Sequence, residues 1–203
     1  MQTYLALGDS YTIGESVAET ERFPVQLAAQ LRTRGFLVSA PTIVATTGWT
    51  TDELAAGIAA ASLAPPYDLV SLLIGVNNQF RGYPLETYRV DFRQLLEQAV
   101  HLAGNMVERV LVFSIPDWGI TPFAGKHDRD AKQVANEIDA FNSAKRTITE
   151  EIGAHYFDIT PISRQAAQAP ELIAADGLHP SGKMYGLWVK TCFEHISFNQ
   201  ILK

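Results

Sequence analysis

The sequence predicts an α/β protein, a three-layer α/β/α sandwich around a five-stranded parallel sheet. Short runs of aliphatic and β-branched residues alternate with longer stretches of helical periodicity, which is typical of repeated βαβ units. The run at 68–74 is almost wholly apolar, as expected of a strand covered on both faces. With 203 residues and 47% hydrophobic content, the chain can bury a substantial core, and we expect residues 1–203 to form one domain.

The periodicity places five strands and five main helices in alternation. The expected strands are at about 3–7, 37–44, 68–74, 109–115 and 154–158. The expected helices are at about 22–34, 51–62, 84–103, 130–152 and 180–196. Right-handed crossovers then favour the flavodoxin-like strand order 2-1-3-4-5, in which ligands bind beyond the carboxyl ends of the strands.

Several residues mark the ends of the predicted helices. Thr50 and Glu53 have the spacing of a capping box, and Gly35 follows the first main helix where a left-handed residue is favoured. Pro84 and Pro180 suit positions in a first helical turn.

Composition excludes several classes of function. The net charge is −6 and the sixteen basic residues are scattered, so we expect no nucleic-acid partner. Cys192 is the only cysteine, which excludes an intrachain disulfide and a cysteine-based zinc cluster within the chain. No run reaches the length of a membrane span and no leader is visible, so we expect a cytoplasmic protein. The sequence does not indicate an oligomeric state.

Polar groups follow several of the predicted strands. Ser10 follows strand 1, Gly48 follows strand 2, and Asn77 follows strand 3. Asp176 and His179 lie between strand 5 and the last helix. Each residue alone is an ordinary turn former. Because the carboxyl ends of parallel strands meet at one edge of a sheet, we expect all five groups to converge on one crevice.

The spacing of Asp176 and His179 suggests a specific chemistry. An aspartate three residues before a histidine can reach its Nδ1 from the same turn and leave Nε2 free to face another group. That orientation is what a general base requires. The other histidines lack this arrangement, and His127-Asp128-Arg129-Asp130 is the one competing cluster. It has the residue types of a metal site, but we interpret it as a solvated loop before a helix and expect no metal.

Four ordered blocks carry a resemblance to a known family. They are Gly8-Asp9-Ser10-Tyr11, Gly48, Gly75-Val76-Asn77-Asn78 and Asp176-Gly177-Leu178-His179-Pro180. Together they span nearly the whole chain, which resembles the SGNH hydrolases, also called the GDSL esterase/lipase family. Many members carry aspartate where this chain has Asn78, so any charge that the aspartate supplies to the loop is lost.

The resemblance implies hydrolysis of small-molecule carboxylic esters without a cofactor. Ser10 would be the nucleophile, His179 the base and Asp176 the carboxylate that supports it. The backbone N–H groups of Ser10 and Gly48 and the side-chain amide of Asn77 would form the oxyanion hole.

The substrate is left open by the sequence. Aromatic residues that follow strands 3 and 4 are candidates to line an acyl or sugar pocket: Phe80, Tyr83, Trp118 and Phe123. One alternative is removal of acetyl groups from carbohydrates, an activity also associated with this family. An alternative from a different class is a non-enzymatic flavin or phosphate binder that uses the loop at 46–51 as an anion cradle.

Overall fold

The centre of the molecule is a parallel sheet of five strands. The structure is a computed structural model that describes residues 1–127 and 129–202. The strands are β1 (Tyr4–Gly8), β2 (Thr42–Ala45), β3 (Leu69–Leu73), β4 (Val110–Phe113) and β5 (His155–Phe157). Their order is β2-β1-β3-β4-β5, and every neighbouring pair is parallel. The predicted flavodoxin-like order is therefore confirmed.

Helices connect and follow the strands. In chain order they are α1 (Ser10–Ile13), α2 (Phe23–Thr33), α3 (Thr51–Ala60), α4 (Val76–Phe80), α5 (Leu85–Leu102), α6 (Pro122–Lys126), α7 (Ala131–Ile152), α8 (Thr160–Arg164), α9 (Gly182–His195) and α10 (Phe198–Ile201). Among the described residues, no helix combines the length and apolar character needed to cross a membrane.

The helices form a layer on each face of the sheet, as the predicted three-layer sandwich requires. Helix α2 packs against α9 in one layer, whereas α3 contacts α5 and α5 contacts α7 in the other. The three inner strands, β1, β3 and β4, are buried along their whole length, and the edge strands β2 and β5 are partly exposed. The core therefore lies on both faces of the inner strands.

The second strand is shorter than predicted. It begins at Thr42 rather than at residue 37. Around Val38 the chain makes only an isolated bridge to Gln2. Pro41 then interrupts the ladder because it has no N–H to donate. Leu37 is 74% exposed, so the start of this aliphatic run lies outside the core.

The helix ends follow the sequence signals in part. The capping box at the start of α3 is formed, with the Thr50 N–H donating to Glu53 Oε2 at 2.9 Å. Gly35 takes a φ of +91° after α2, as predicted. The prediction that Pro180 lies in a first turn is wrong because α9 starts at Gly182. Ser181 caps that helix instead.

Candidate active site

Ser10 lies at the point where β1 ends and the chain turns into α1. Asp9 caps this short helix, its Oδ1 accepting the Tyr11 N–H at 3.0 Å. Gly8 is required at the preceding position because a Cβ there would collide with the carbonyl oxygen of Leu73 on β3. The turn brings the Ser10 side chain to the carboxyl edge of the sheet, where the residue is only 6% exposed.

The segment that precedes α9 brings a histidine and a carboxylate to Ser10. His179 Nε2 is 3.0 Å from Ser10 Oγ, and His179 Nδ1 is 2.5 Å from Asp176 Oδ2. The other carboxylate oxygen, Oδ1, accepts the backbone N–H groups of Leu178 and His179 at 2.9 and 3.0 Å. Gly177 allows this tight turn with a φ of +76°. The three side chains thus form one hydrogen-bonded line.

Asp176 is held in its ionised form. Partial burial acts to raise the pKa of this carboxyl, but hydrogen bonds outweigh it and keep the pKa well below its usual range. The donors are the His179 ring, the Leu178 and His179 backbone and the Ser16 hydroxyl, which lies 2.7 Å from Oδ2. A carboxylate accepts hydrogen bonds only, so it favours the tautomer of His179 with a proton on Nδ1 and a lone pair on Nε2.

Three donors expected at an oxyanion site border the same space. Gly48, with a φ of +85°, lies in the loop before α3, and Asn77 lies in α4. The Asn77 amide uses one proton to donate to the Trp49 carbonyl at 2.9 Å, which leaves its second proton available. Within residues 1–127 and 129–202, the backbone N–H groups of Ser10 and Gly48 have no acceptor.

A cavity of about 140 Å³ opens in front of these groups. Its polar side includes Ser10, Gly48, Asn77 and His179. Its apolar side is formed by Val76, Phe80, Trp118, Phe123 and Leu178. The structure therefore brings the five polar candidates together with three of the four aromatic candidates. Asp176 does not line the cavity itself but contacts it through His179. Tyr83 is not among the described residues that line the cavity.

Comparison with known proteins assigns the chain to a family. The profile of the GDSL-like lipase/acylhydrolase family matches residues 6–187. The chain belongs to this family. It resembles a lipase/acylhydrolase from Enterococcus faecalis with a TM-score of 0.73, at 21% identity over 100% of this chain and 98% of that one. No curated protein sequence matches it significantly.

Two further solved structures share the GDSL-family fold with this chain. The psychrotrophic esterase EstA from Pseudoalteromonas sp., inhibited by monoethylphosphonate, has a TM-score of 0.69 at 17% identity, with 96% of each chain covered. An acetyl xylan esterase has a TM-score of 0.73 at 14% identity, with 96% of this chain and 100% of that one covered. At these identities the likeness concerns the fold.

A fixed indole lines the cavity in this GDSL-family chain. Trp118 is 2% exposed, and its Nε1 donates to Gln79 Oε1 at 2.8 Å. Gln79 in turn donates from Nε2 to Glu137 Oε2 at 2.6 Å. Phe80 meets the indole edge to face at 5.4 Å between ring centroids. Neither Gln79 nor Glu137 carried a sequence signal, because their link joins α4 to α7 across 58 residues.

His127 and Asp130 of the competing cluster have other partners in the structure. His127 packs against Phe123 in a tilted arrangement at 4.3 Å between ring centroids, and the Asp130 side chain caps α7. Asp128 lies outside the described residues. In residues 1–127 and 129–202, no group of three histidine, cysteine, aspartate or glutamate residues is arranged to hold a metal ion.

Proposed function

We propose that this protein is a serine hydrolase that cleaves carboxylic esters, with Ser10 as the nucleophile. The observation that carries the proposal is the hydrogen-bonded line from Ser10 Oγ through His179 to Asp176, which faces a cavity bordered by three oxyanion donors. A serine hydroxyl is a weak nucleophile until a neighbouring base takes its proton, and His179 Nε2 is within reach of that proton.

In the first half of the reaction, Ser10 Oγ attacks the ester carbonyl carbon while its proton passes to His179 Nε2. The carbonyl oxygen becomes an oxyanion, and the N–H groups of Ser10, Gly48 and Asn77 stabilise it. Asp176 stabilises the imidazolium that forms. When the tetrahedral intermediate collapses, the C–O bond of the alcohol breaks, His179 protonates the leaving oxygen, and the acyl group remains on Ser10.

The second half repeats these steps with water. His179 takes a proton from water, the hydroxide attacks the acyl-enzyme carbonyl, and the proton returns to Ser10 Oγ as the acid leaves. His179 passes on each proton that it takes within the same half-reaction, and no atom changes its oxidation state.

The size and lining of the cavity support a short acyl group. Pockets that take drug-sized ligands usually measure about 300–1,000 Å³, whereas this cavity has a volume of about 140 Å³. Trp118 lines it and is fixed by Gln79. An acetyl to butyryl chain fits this description, and the acyl pocket therefore favours short-chain esters. Acetylated carbohydrates are the second candidate substrate because they offer the shortest acyl group of this class.

The alternative of a flavin or phosphate binder is disfavoured by the groups at the start of α3. The Thr50 N–H already donates to Glu53, and the Thr51 N–H donates to Asn78. Asp52 and Glu53 also place negative charge in the first turn. A phosphate at this position would find these two donors engaged and would be repelled by the two carboxylates.

The test is a panel of aryl esters with acetyl, butyryl and octanoyl chains, together with acetylated xylose. We expect wild type to hydrolyse the short esters and Ser10→Ala to lose at least about 10³-fold in kcat. Ser143→Ala, an exposed serine on α7, is the matched control and should retain wild-type rates. A yellow purified protein, or equal rates for wild type and Ser10→Ala, would contradict the proposal.

A further inference from the structure

A buried side-chain pair joins the two segments that carry the oxyanion donors. Asn78 follows Asn77 in α4, and Thr51 follows the Gly48 loop at the start of α3. The Thr51 N–H donates to Asn78 Oδ1 at 3.1 Å, and Asn78 Nδ2 donates to Thr51 Oγ1 at 2.8 Å. Both residues are 0% exposed. The link is thus bidentate and protected from water.

A third residue fixes the direction of these hydrogen bonds. Thr51 Oγ1 lies 3.3 Å from Asp91 Oδ2 on α5. A carboxylate cannot donate, so the threonine hydroxyl gives its only proton to Asp91. Thr51 Oγ1 must then accept a proton from position 78, and an amide provides one. With Asn78 at this position, the Thr51 N–H, the Thr51 hydroxyl and the Asp91 carboxylate all have hydrogen-bond partners.

We propose that Asn78 is a positioning residue that holds the Gly48 N–H at the correct distance from the Asn77 amide, through its two bonds to Thr51. This inference rests on the proposed function, because its expected effect is a change in kcat for ester hydrolysis. Single bonds also link the segments, from Asn77 Nδ2 to the Trp49 carbonyl and from Arg81 to the Gly48 carbonyl. Those bonds hold the loop, whereas the Asn78 pair anchors the first residue of α3 itself.

The chemistry of the pair makes a carboxylate at position 78 harmful in this chain. In Asn78→Asp, the new side chain still accepts the Thr51 N–H, but its second oxygen has no proton to offer to Thr51 Oγ1. The new carboxylate and that of Asp91 then compete for one hydroxyl proton, and one carboxylate oxygen beside Thr51 Oγ1 is left without a donor. The start of α3 shifts away, and the Gly48 N–H shifts with it.

The same reasoning predicts a rescue. In the double variant Asn78→Asp with Asp91→Asn, the Thr51 hydroxyl donates to position 78 and the new amide at 91 donates to Thr51 Oγ1. The network is then complete with its direction reversed. Asp91→Asn alone keeps an accepting oxygen at 91, so its effect should be small.

The experiment measures kcat and KM for a short aryl ester, and the urea midpoint of unfolding, for wild type, the two single variants and the double variant. We expect Asn78→Asp to lower kcat by about 10- to 100-fold with KM within about threefold of wild type, because a displaced oxyanion donor acts on the transition state. The double variant should return to within about threefold of wild type in kcat, and its urea midpoint should exceed that of Asn78→Asp. Asn199→Asp, an exposed change of the same type on α10, is the control and should match wild type.

Two results would overturn the inference. One is wild-type kcat in Asn78→Asp. The other is a double variant that recovers its urea midpoint but not its kcat, which would leave Asn78 with a role in stability alone. If wild type hydrolyses no ester, the proposed function fails, but the urea midpoints still test the hydrogen-bond network. A double variant no more stable than Asn78→Asp would then contradict the inference that positions 78 and 91 share the Thr51 hydroxyl proton.

Discussion

At the scale of single residues, the proposed mechanism requires a neutral His179 and an ionised Asp176, which gives the reaction a defined pH dependence. In that mechanism His179 Nε2 must be unprotonated to accept the Ser10 proton, so protonation of the ring would stop the reaction. The pKa of Asp176 is held well below its usual range, so this carboxyl remains ionised through mildly acid solution. We expect kcat/KM to fall on acidification with a single titration, and Asp176→Asn to lower kcat by about 10⁴-fold at neutral pH. A pH–rate profile with two acid titrations, or a flat one, would contradict this assignment.

A second prediction at the residue scale concerns stability and the side chain of Asp9, which precedes Ser10. It is 0% exposed, and burial raises its pKa to about 7, although the Tyr11 N–H and the charge of Lys145 act to lower it. Its usual value is 3.8. The folded state therefore binds this proton more tightly than the unfolded chain, and the resulting stabilisation, complete below about pH 4, is lost as the pH rises to about 7.

Asp9→Asn removes this titration and keeps a side-chain oxygen that can cap α1. Between pH 4 and 7, we expect the free energy of unfolding of wild type to fall relative to that of the variant, by up to about 1.4 kcal/mol per pH unit. Urea unfolding at several pH values measures the difference. A difference that does not change with pH would show that the pKa of Asp9 is not raised.

At the scale of secondary-structure elements, the proposed acyl pocket depends on how α4 packs against the loop after β4. Trp118 in that loop is fixed by Gln79 in α4, and the indole lines the cavity. Trp118→Ala should enlarge the cavity. We expect kcat/KM for an octanoyl ester to rise relative to that for an acetyl ester by about 10-fold or more, since each buried methylene contributes about 0.8 kcal/mol.

Phe36→Ala, a partly buried aromatic change in the segment after α2, serves as a control because Phe36 does not line the active-site cavity. It should leave the ratio of octanoyl to acetyl kcat/KM at its wild-type value. An unchanged ratio in Trp118→Ala itself would mean that the acyl group does not reach the indole.

The elements also show what could be predicted from the sequence. Periodicity predicts the long helices to within about two residues at each end, because several turns of apolar spacing define each of them. The four- and five-residue helices α1 and α4 carry too little periodicity, and they depend on contacts made across the chain, such as the pair Asn78–Thr51. The predicted start of β2 is wrong because the run around Val38 looks like a strand, whereas Pro41 divides it.

The same distinction applies to the candidate site. The positions of Ser10, Asn77 and His179 follow from strand ends and turn spacing, which are local features. Ser16 reaches Asp176 across 160 residues of sequence, so its hydrogen bond appears only in the folded chain. The contacts of Gln79 and Ser16 are tertiary, and no local pattern marks them.

At the scale of the whole molecule, the parallel sheet creates the site by gathering three strand ends at one edge. The segments after β1, β2 and β3 supply Ser10, Gly48 and Asn77, and the segment before α9 supplies Asp176 and His179. The order β2-β1-β3 puts Ser10, the proposed nucleophile, between Gly48 and Asn77, the two other proposed donors. This arrangement, rather than any single motif, is the basis for proposing acyl transfer to Ser10.

The most direct test of that central claim is mass spectrometry of the intact protein and its peptides after treatment with an aryl alkylphosphonate, which transfers its phosphonyl group to an activated serine hydroxyl. We predict one adduct per chain, located on Ser10, with the aryloxide released in equal amount. Ser10→Ala should form no adduct, and His179→Gln should form it at a rate at least about 10²-fold lower. An adduct on another residue, or none in wild type, would contradict the account.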